Sequence, residues 1–307
     1  MTSGANRLEY EQRVNRVIDH VREHLEEELS LEGLARVAAF SPFHFHRIFR
    51  ALTGETLSAF VQRLRLERAA QALTYHRDAS VLAVALDSGF SSAATFARAF
   101  RAHFGMSATE WRDGGAERWS KRGKSNRKPG KARGRAPRHG SSKPSKEAIM
   151  NVTVKTLPRY HVAYMRYVGP FGPHGIPETW TKLQRWMTTH GLAGPDSVKI
   201  GIGHDDRNVT APEKCRYDAC VVVPDGFAAD RNVNLADLPG GRYAVAGFTG
   251  TAHEIGEAWN GLYRTWLPNS GYEPDDRPCL ELYRGDPMVA ARPGAFRCEL
   301  CVPIRPL

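Results

Sequence analysis

Arg47 and Arg98 sit 51 residues apart in matching frames. Phe45, Arg47, Phe49, Arg50 and Gly54 in one frame correspond to Phe96, Arg98, Phe100, Arg101 and Gly105 in the other. A guanidinium projecting from a helix can bond guanine O6/N7 through paired hydrogen bonds or clamp a phosphate. A second kind of chemistry is suggested by Glu281, the one charged residue of Leu280-Glu281-Leu282-Tyr283. On a strand it shares a face with Tyr283. A carboxylate in apolar surroundings needs a partner, because isolated charge burial is costly. Either an arginine of the same chain or a cationic aromatic ligand stacked on ring faces would supply it. Rings that could line such a site are Tyr164, Phe171, Trp180, Trp259 and Tyr283, although Trp180 and Trp259, on helices facing a sheet, read better as core.

The segments carrying the arginines read as helix, turn, helix. Ser80 opens a short helix (Val81, Val84, Ala85), Ser88-Gly89-Phe90 turns, and Ser91/Ser92 caps a second helix closing at Gly105. Phe96, Phe100 and Phe104 give that helix an apolar stripe and leave Arg98 off it. The earlier copy runs from Leu31 to Thr53: Leu34, Ala35 and Val37 inward, Phe40-Ser41 as the turn, Ser41 as the cap and Pro42 at the first helical position. Phe43, His46 and Arg47 emerge near the N-terminal half of its second helix, the part that meets base edges in such motifs. Between the copies a helix over about Glu55–Tyr75 carries two stripes half a turn apart, one for each unit. At about 30 Å its length approaches the ~34 Å between successive major-groove faces, so a single chain is expected to bind DNA as a monomer. Before the first copy, residues 7–28 read as an amphipathic helix with Val14, Val17, Ile18, Val21 and Leu25 on one face.

The duplicated unit, its Gly-Phe turn and the closing Trp111-Arg112 resemble the DNA-binding domain of AraC/XylS-type transcription regulators. The resemblance implies base contacts from Phe43, His46 and Arg47 in the first copy and from Ala93, Ala94, Thr95 and Arg98 in the second. Two alanines weaken direct readout in that second half. Double-stranded promoter DNA is the implied partner, with RNA polymerase as a further candidate.

Charge locates the next boundary. The formal net charge is +10, yet twelve Lys and Arg and no acid fall within residues 118–146, so the flanking regions are close to neutral. Residues 113–147, rich in Gly, Ser, Pro, Lys and Arg, are expected to form a disordered basic tether. From Asn151 the period changes to alternation, with strands over 151–169, 198–203, 217–223, 242–249, 280–283 and 296–304, and helices over 177–190 and 255–267. Arg159-Tyr160-x-Val162-Ala163 matches Arg242-Tyr243-x-Val245-Ala246, and Trp180-x-x-Leu183 matches Trp259-x-x-Leu262. The expected architecture is multidomain: an all-α double helix-turn-helix domain (1–112), the tether (113–147), and an α+β domain (148–307) of two duplicated β-α-β-β modules, with a groove between two sheets.

Residues 151–307, through DDRNVTAPEKCRYDACVVVP, LPGGRYAV and PCLELY, resemble the GyrI-like effector-binding domain. That resemblance implies a groove lined with aromatic residues and a glutamate that maps onto Glu281. It also implies an alternative, since some members are hydrolases that use the groove glutamate to activate water and others sequester toxins or meet gyrase. No Ser-His-Asp or metal constellation supports catalysis, so the protein is expected not to be an enzyme and to need no cofactor. Cys298-x-x-Cys301 lies in an expected strand, where residues three apart face opposite sides, which argues against a metal site. No long apolar run or signal segment appears, and the five late cysteines read as free thiols, so a cytoplasmic location without membrane contact is expected.

Overall fold

Phenylalanine spacing decides the first half of the chain. In the computed structural model, residues 3–125, 151–172, 174–207, 209–285, 287–288, 292 and 294–307 are described, with only the backbone for 3–7, 43 and 121–125. The chain divides into two units: the first takes residues 3–125 and the short segment Asp206–Ala211, the second the remainder of the described residues.

The first unit is helical: α1 (Ser3–Glu23), α2 (Leu31–Val37), α3 (Pro42–Thr53), α4 (Leu57–Tyr75), α5 (Val81–Asp87), α6 (Ala93–Phe104), α7 (Ala108–Glu110) and α8 (Ala116–Ser125). Phe45 and Phe49 on α3, and Phe96, Phe100 and Phe104 on α6, are fully or almost fully buried. Truncating any of them to alanine should cost about 3–5 kcal/mol. The two stripes of α4 serve different cores. Leu57, Phe60 and Leu64 join Val14, Val17, Phe45 and Phe49, while Leu66, Ala69, Ala70 and Leu73 join Val84, Phe96, Phe100 and Trp111. Where the stripe changes side, Arg63 bonds Glu55 at 2.8 Å and Glu67 at 3.2 Å, with all three side chains largely buried. Removing one member of such a network costs about 3–5 kcal/mol, so the rod is stiffened at its waist. The Trp111 indole N–H donates to the Ala70 carbonyl at 3.0 Å and pins the far end of the rod.

Three local expectations are corrected here. α1 stops at Glu23, not residue 28. Glu26, Glu27 and Glu28 would crowd the negative end of the helix dipole, and Arg65 instead donates to the carbonyls of Leu25 and Glu27. Ser41 is in the N-cap conformation but makes no side-chain cap bond. Its carbonyl already accepts the His44 and Phe45 N–H groups. Residues 116–125 form α8 rather than part of a tether, reached through a kink at Asp113 (φ −82°, ψ 36°) and Gly114 (φ 94°). Trp119 packs there, edge-on to Phe104 at 5.2 Å. The rest of the expected tether, residues 126–147, lies outside the described residues.

The second unit contains β1 (Val152–Leu157), β2 (Tyr160–Val168), α9 (Ile176–Thr189), β3 (Val198–Gly203), β4 (Arg216–Val222), β5 (Asn234–Leu238), β6 (Gly241–Thr251), α10 (Ile255–Gly261), β7 (Tyr272–Pro274), β8 (Leu280–Arg284) and β9 (Ala295–Pro306). One continuous antiparallel sheet runs in the order β1-β6-β9-β8-β3-β4-β2-β5, with β7 added on β9. Two separate sheets were expected; β3 and β8 instead pair directly, Val198 with Arg284 through Gly201 with Glu281. One face packs under α9 and α10, and the other gathers Val162, Tyr164, Ile200, Tyr243, Leu280, Leu282 and Cys301. β5 and β7 escaped the sequence because each is short and mixes polar with apolar residues. The expected helix over 255–267 loosens after Gly261 into a π-helical turn (Leu262–Trp266) and a 3-10 turn carrying Pro268.

Candidate functional site

The candidate DNA-facing surface of the first unit is built by two helices that bury one stripe and expose the other. On α3, His44, His46, Arg47 and Arg50 are exposed between the buried Phe45 and Phe49. Phe43, expected beside them, has its side chain outside the described residues. On α6, Ala93, Ala94, Thr95 and Arg98 are all exposed. The Ser92 hydroxyl accepts the Thr95 N–H at 3.2 Å and lies 3.0 Å from the Thr95 hydroxyl, which fixes the start of that helix. Arg98 turns back along the helix, its Nε 3.4 Å from the Ala94 carbonyl. Neither α3 nor α6 contains an acid, so nothing on these helices opposes a phosphate backbone.

The turns before these helices fill their left-handed position differently. Gly89 adopts φ +85°, and Ala39 occupies the same place at φ 53°. Both turns close identically, Phe40 N–H on the Ala35 carbonyl and Phe90 N–H on the Ala85 carbonyl, each at 3.0 Å. A Cβ at Gly89 would collide with the Leu25 carbonyl and the Arg65 guanidinium; Ala39 bears the strain of a left-handed alanine instead.

In the second unit, the β3–β8 seam brings Glu281, Tyr283, Trp180 and Trp259 together with Tyr217. Glu281 Oε2 accepts the hydroxyls of Tyr217 and Tyr283, both at 2.9 Å, and Oε1 accepts the Trp259 indole N–H at 3.3 Å. Trp180 donates its indole N–H to the Tyr217 hydroxyl at 3.2 Å and stands edge-on to Tyr283 at 5.4 Å. Phe171 joins at the margin, edge-on to Tyr217 at 5.8 Å. Among the described residues, no Lys, Arg or His side chain pairs with Glu281. Burial, reinforced by the Glu281 charge, pushes both phenols well above the usual tyrosine range, so they stay protonated donors.

Gly201 makes this packing possible. It pairs with Glu281 across the seam, and a Cβ there would strike the Tyr217 hydroxyl and the Glu281 carboxylate. Trp180 and Trp259, better read as core from the sequence, are half-buried and turn their N–H groups into the cluster. Tyr164 is not part of it. Alternation along β2 places Tyr164 with Tyr160 and Val162 on the opposite sheet face, where Arg166 lies over its ring at 5.0 Å. Tyr217 was missed: its strand was legible, but its reach to Glu281 spans β3 and requires the seam. Cys298 and Cys301 fall in clusters on opposite faces, and all five cysteines are free thiols. Among the described residues, no three His, Cys, Asp or Glu side chains converge as a metal site. No described helix is long and apolar enough to cross a membrane.

Comparison with known proteins places both units. Residues 150–305 match the family described as a GyrI-like small molecule binding domain, and residues 34–114 match a helix-turn-helix domain. The prophage-derived protein YosT of Bacillus subtilis, named as a transcriptional regulator, is 31% identical over 156 residues, 51% of this chain and 100% of that one. A DNA gyrase inhibitor of Edwardsiella piscicida is 32% identical over 162 residues, 51% of this chain and 99% of that protein. Among solved structures, the DNA-binding domain of AdpA in complex with a target DNA shares 32% identity, covers 35% of this chain and 96% of that one, and gives a TM-score of 0.33.

Proposed function

The chain belongs to the GyrI-like small-molecule-binding family, and from that premise we propose that its cleft takes a cationic, aromatic effector. The chain is a DNA-binding transcription regulator of the AraC type carrying a small-molecule-binding domain. The observation that carries the finer reading is the state of Glu281. Three neutral donors from aromatic side chains orient the carboxylate, and no cation of the described chain neutralises it. A ligand cation would complete the charge balance and gain cation–π attraction from the rings. The strand order, symmetric about the β3–β8 pair, supports reading this unit as two β-α-β-β modules.

On the DNA side, Arg47 and His46 of α3 would read base edges and Arg98 of α6 a guanine or phosphate, while Ala93 and Ala94 would meet thymine methyl groups at most. The 19-residue α4, about 28 Å long, supports one chain engaging two successive major grooves. RNA polymerase is the downstream partner in this reading.

Titration of the full chain with lipophilic aromatic cations and their neutral isosteres tests the effector claim. Glu281→Gln should weaken the cations by about 2–4 kcal/mol, spare the isosteres, and leave duplex affinity unchanged. Equal cation affinity in the variant would remove the charge-pairing claim. Genome-wide occupancy with and without those cations tests the regulator as a whole.

A further inference from the structure

The second copy keeps the frame of the first beyond its last shared helix and then departs from it. Thr56 caps α4 through the Ala59 N–H, and in the same frame Ser107 caps α7 through the Glu110 N–H. Phe60 and Trp111, the next matched pair, are both buried. In the first copy the chain then runs unbroken through α4. In the second it kinks at Asp113 and Gly114, and α8 is set so that Trp119 meets Phe104 and Trp111. The matched residues Glu67 and Arg118 show the change: Glu67 is buried against Arg63, and Arg118 is exposed.

α8 is fastened by one side and basic on the other. Ala116 and Trp119 pack on the core of the second copy. Positions 118, 121 and 122, occupied by Arg, Lys and Arg, fall on the other side of the helix. Glu117 opens α8, where an acid suits the helix dipole, and no acid follows it there. Helix stability does not account for the basic residues in the same way. Arg118 stands in the first turn, at the positive end of the dipole, and lies at i, i+4 from the like-charged Arg122. Both arrangements are unfavourable until an anion meets them.

This basic side continues the candidate DNA-facing surface. Arg98 and Arg101 are exposed neighbours on α6, three residues apart. Hydrogen bonds from Ser107 hold the Glu110 carboxyl below the usual carboxylate range, and the charges of Arg101 and Arg118 add to the effect, so the two guanidiniums flank one spot. We propose that α8 grips phosphates of the duplex just outside the stretch met by α6, through Arg118, Lys121 and Arg122. The proposal rests on the regulator reading above. It gives the second copy, with alanine at two of its expected base-contacting positions, a hold on DNA that depends on no base sequence.

The test uses the full chain and a duplex site selected with it from random sequence, each flank being trimmed in turn. Arg118→Gln with Lys121→Gln and Arg122→Gln should leave the selected bases and the melting temperature unchanged. The slope of log affinity against log salt should flatten by about 2–3, at about 0.9 for each phosphate released, and affinity should fall about tenfold or more. Arg118→Gln alone should flatten it by about 0.9 and decides the matter if the triple variant melts early. Trimming one flank should weaken the wild type and not the triple variant. Lys182→Gln with Arg185→Gln removes exposed charge from α9 and should leave the slope unaltered. An unaltered slope in the α8 variants, or a loss that the α9 pair shares, overturns this contact alone. So does equal sensitivity of wild type and triple variant to trimming. Failure of the wild type to select any site overturns the regulator reading and this contact with it.

Discussion

The two units carry their candidate functional residues in opposite ways. His46, Arg47 and Arg98 stand in solvent, each on a helix whose other face is packed with phenylalanine. Glu281 and its partners are half-buried or buried and come from α9, β4, α10 and β8, with β3 contributing an absence, the missing Cβ of Gly201. A surface that meets a large, charged partner needs only local periodicity and a clean sign of charge. A cleft that surrounds a small partner needs side chains converging from distant segments. The difference teaches that damage should be separable: a packing error scatters the cluster around Glu281, and a charge deletion blunts the candidate DNA-facing surface.

That separation can be broken or sharpened in order of expected effect. Gly201→Ala should be most severe, costing about 3 kcal/mol of stability in the second unit, the upper end of overpacking, and abolishing effector binding while duplex affinity is kept. Thermal unfolding and a binding titration check it, and retained effector affinity would mean the cleft does not depend on this close approach. Arg47→Ala is the converse, costing about 1–3 kcal/mol in duplex affinity with the cleft unaffected. Arg98→Ala should cost less and relax specificity less, because its neighbours on α6 are alanines. Equal effects on selected sequences would make the two copies equivalent readers.

Alkaline pH should separate the units next. The folded state holds the Tyr217 and Tyr283 protons more tightly than the unfolded chain, whose phenols titrate near 10.0. Their contribution is complete below that pH and is lost as pH rises above it, by about 1.4 kcal/mol per unit for each phenol. Tyrosinate absorbance followed against pH should therefore show late, unfolding-linked ionisation of the two phenols beside Glu281. The smallest effect is within the first unit: Ala39→Gly should stabilise it by about 0.5–1 kcal/mol, relieving a left-handed alanine at some cost in chain entropy. A lower melting temperature in that variant would show that the turn is not strained.

Much of the first unit was legible because its signals are local. Ser80, Ser92 and Gly105 mark ends of α5 and α6 as their chemistry dictates, and the two stripes of α4 announced two cores. The early end of α1 and the helix over 116–125 were not legible. One depends on Arg65, forty residues away from Leu25, and the other on Trp119 finding Phe104.

In the second unit, alternation put Glu281 and Tyr283 on one face and repetition matched Trp180 with Trp259. It could not rank the rings. Tyr164 was chosen and Tyr217 overlooked, since both lie on strands and only the order β4-β3-β8 decides which phenol reaches the carboxylate. The sequence alone determined the helix ends at Ser80, Ser92 and Gly105, the arginine frames and the odd carboxylate, because each follows from periodicity and residue chemistry within a few turns or strands. Only the tertiary structure decided that the sheet is continuous across β3 and β8, that a glycine opens the space there, and that no cation of the described chain answers Glu281. Those facts depend on pairings between segments some eighty residues apart, which local chemistry does not encode.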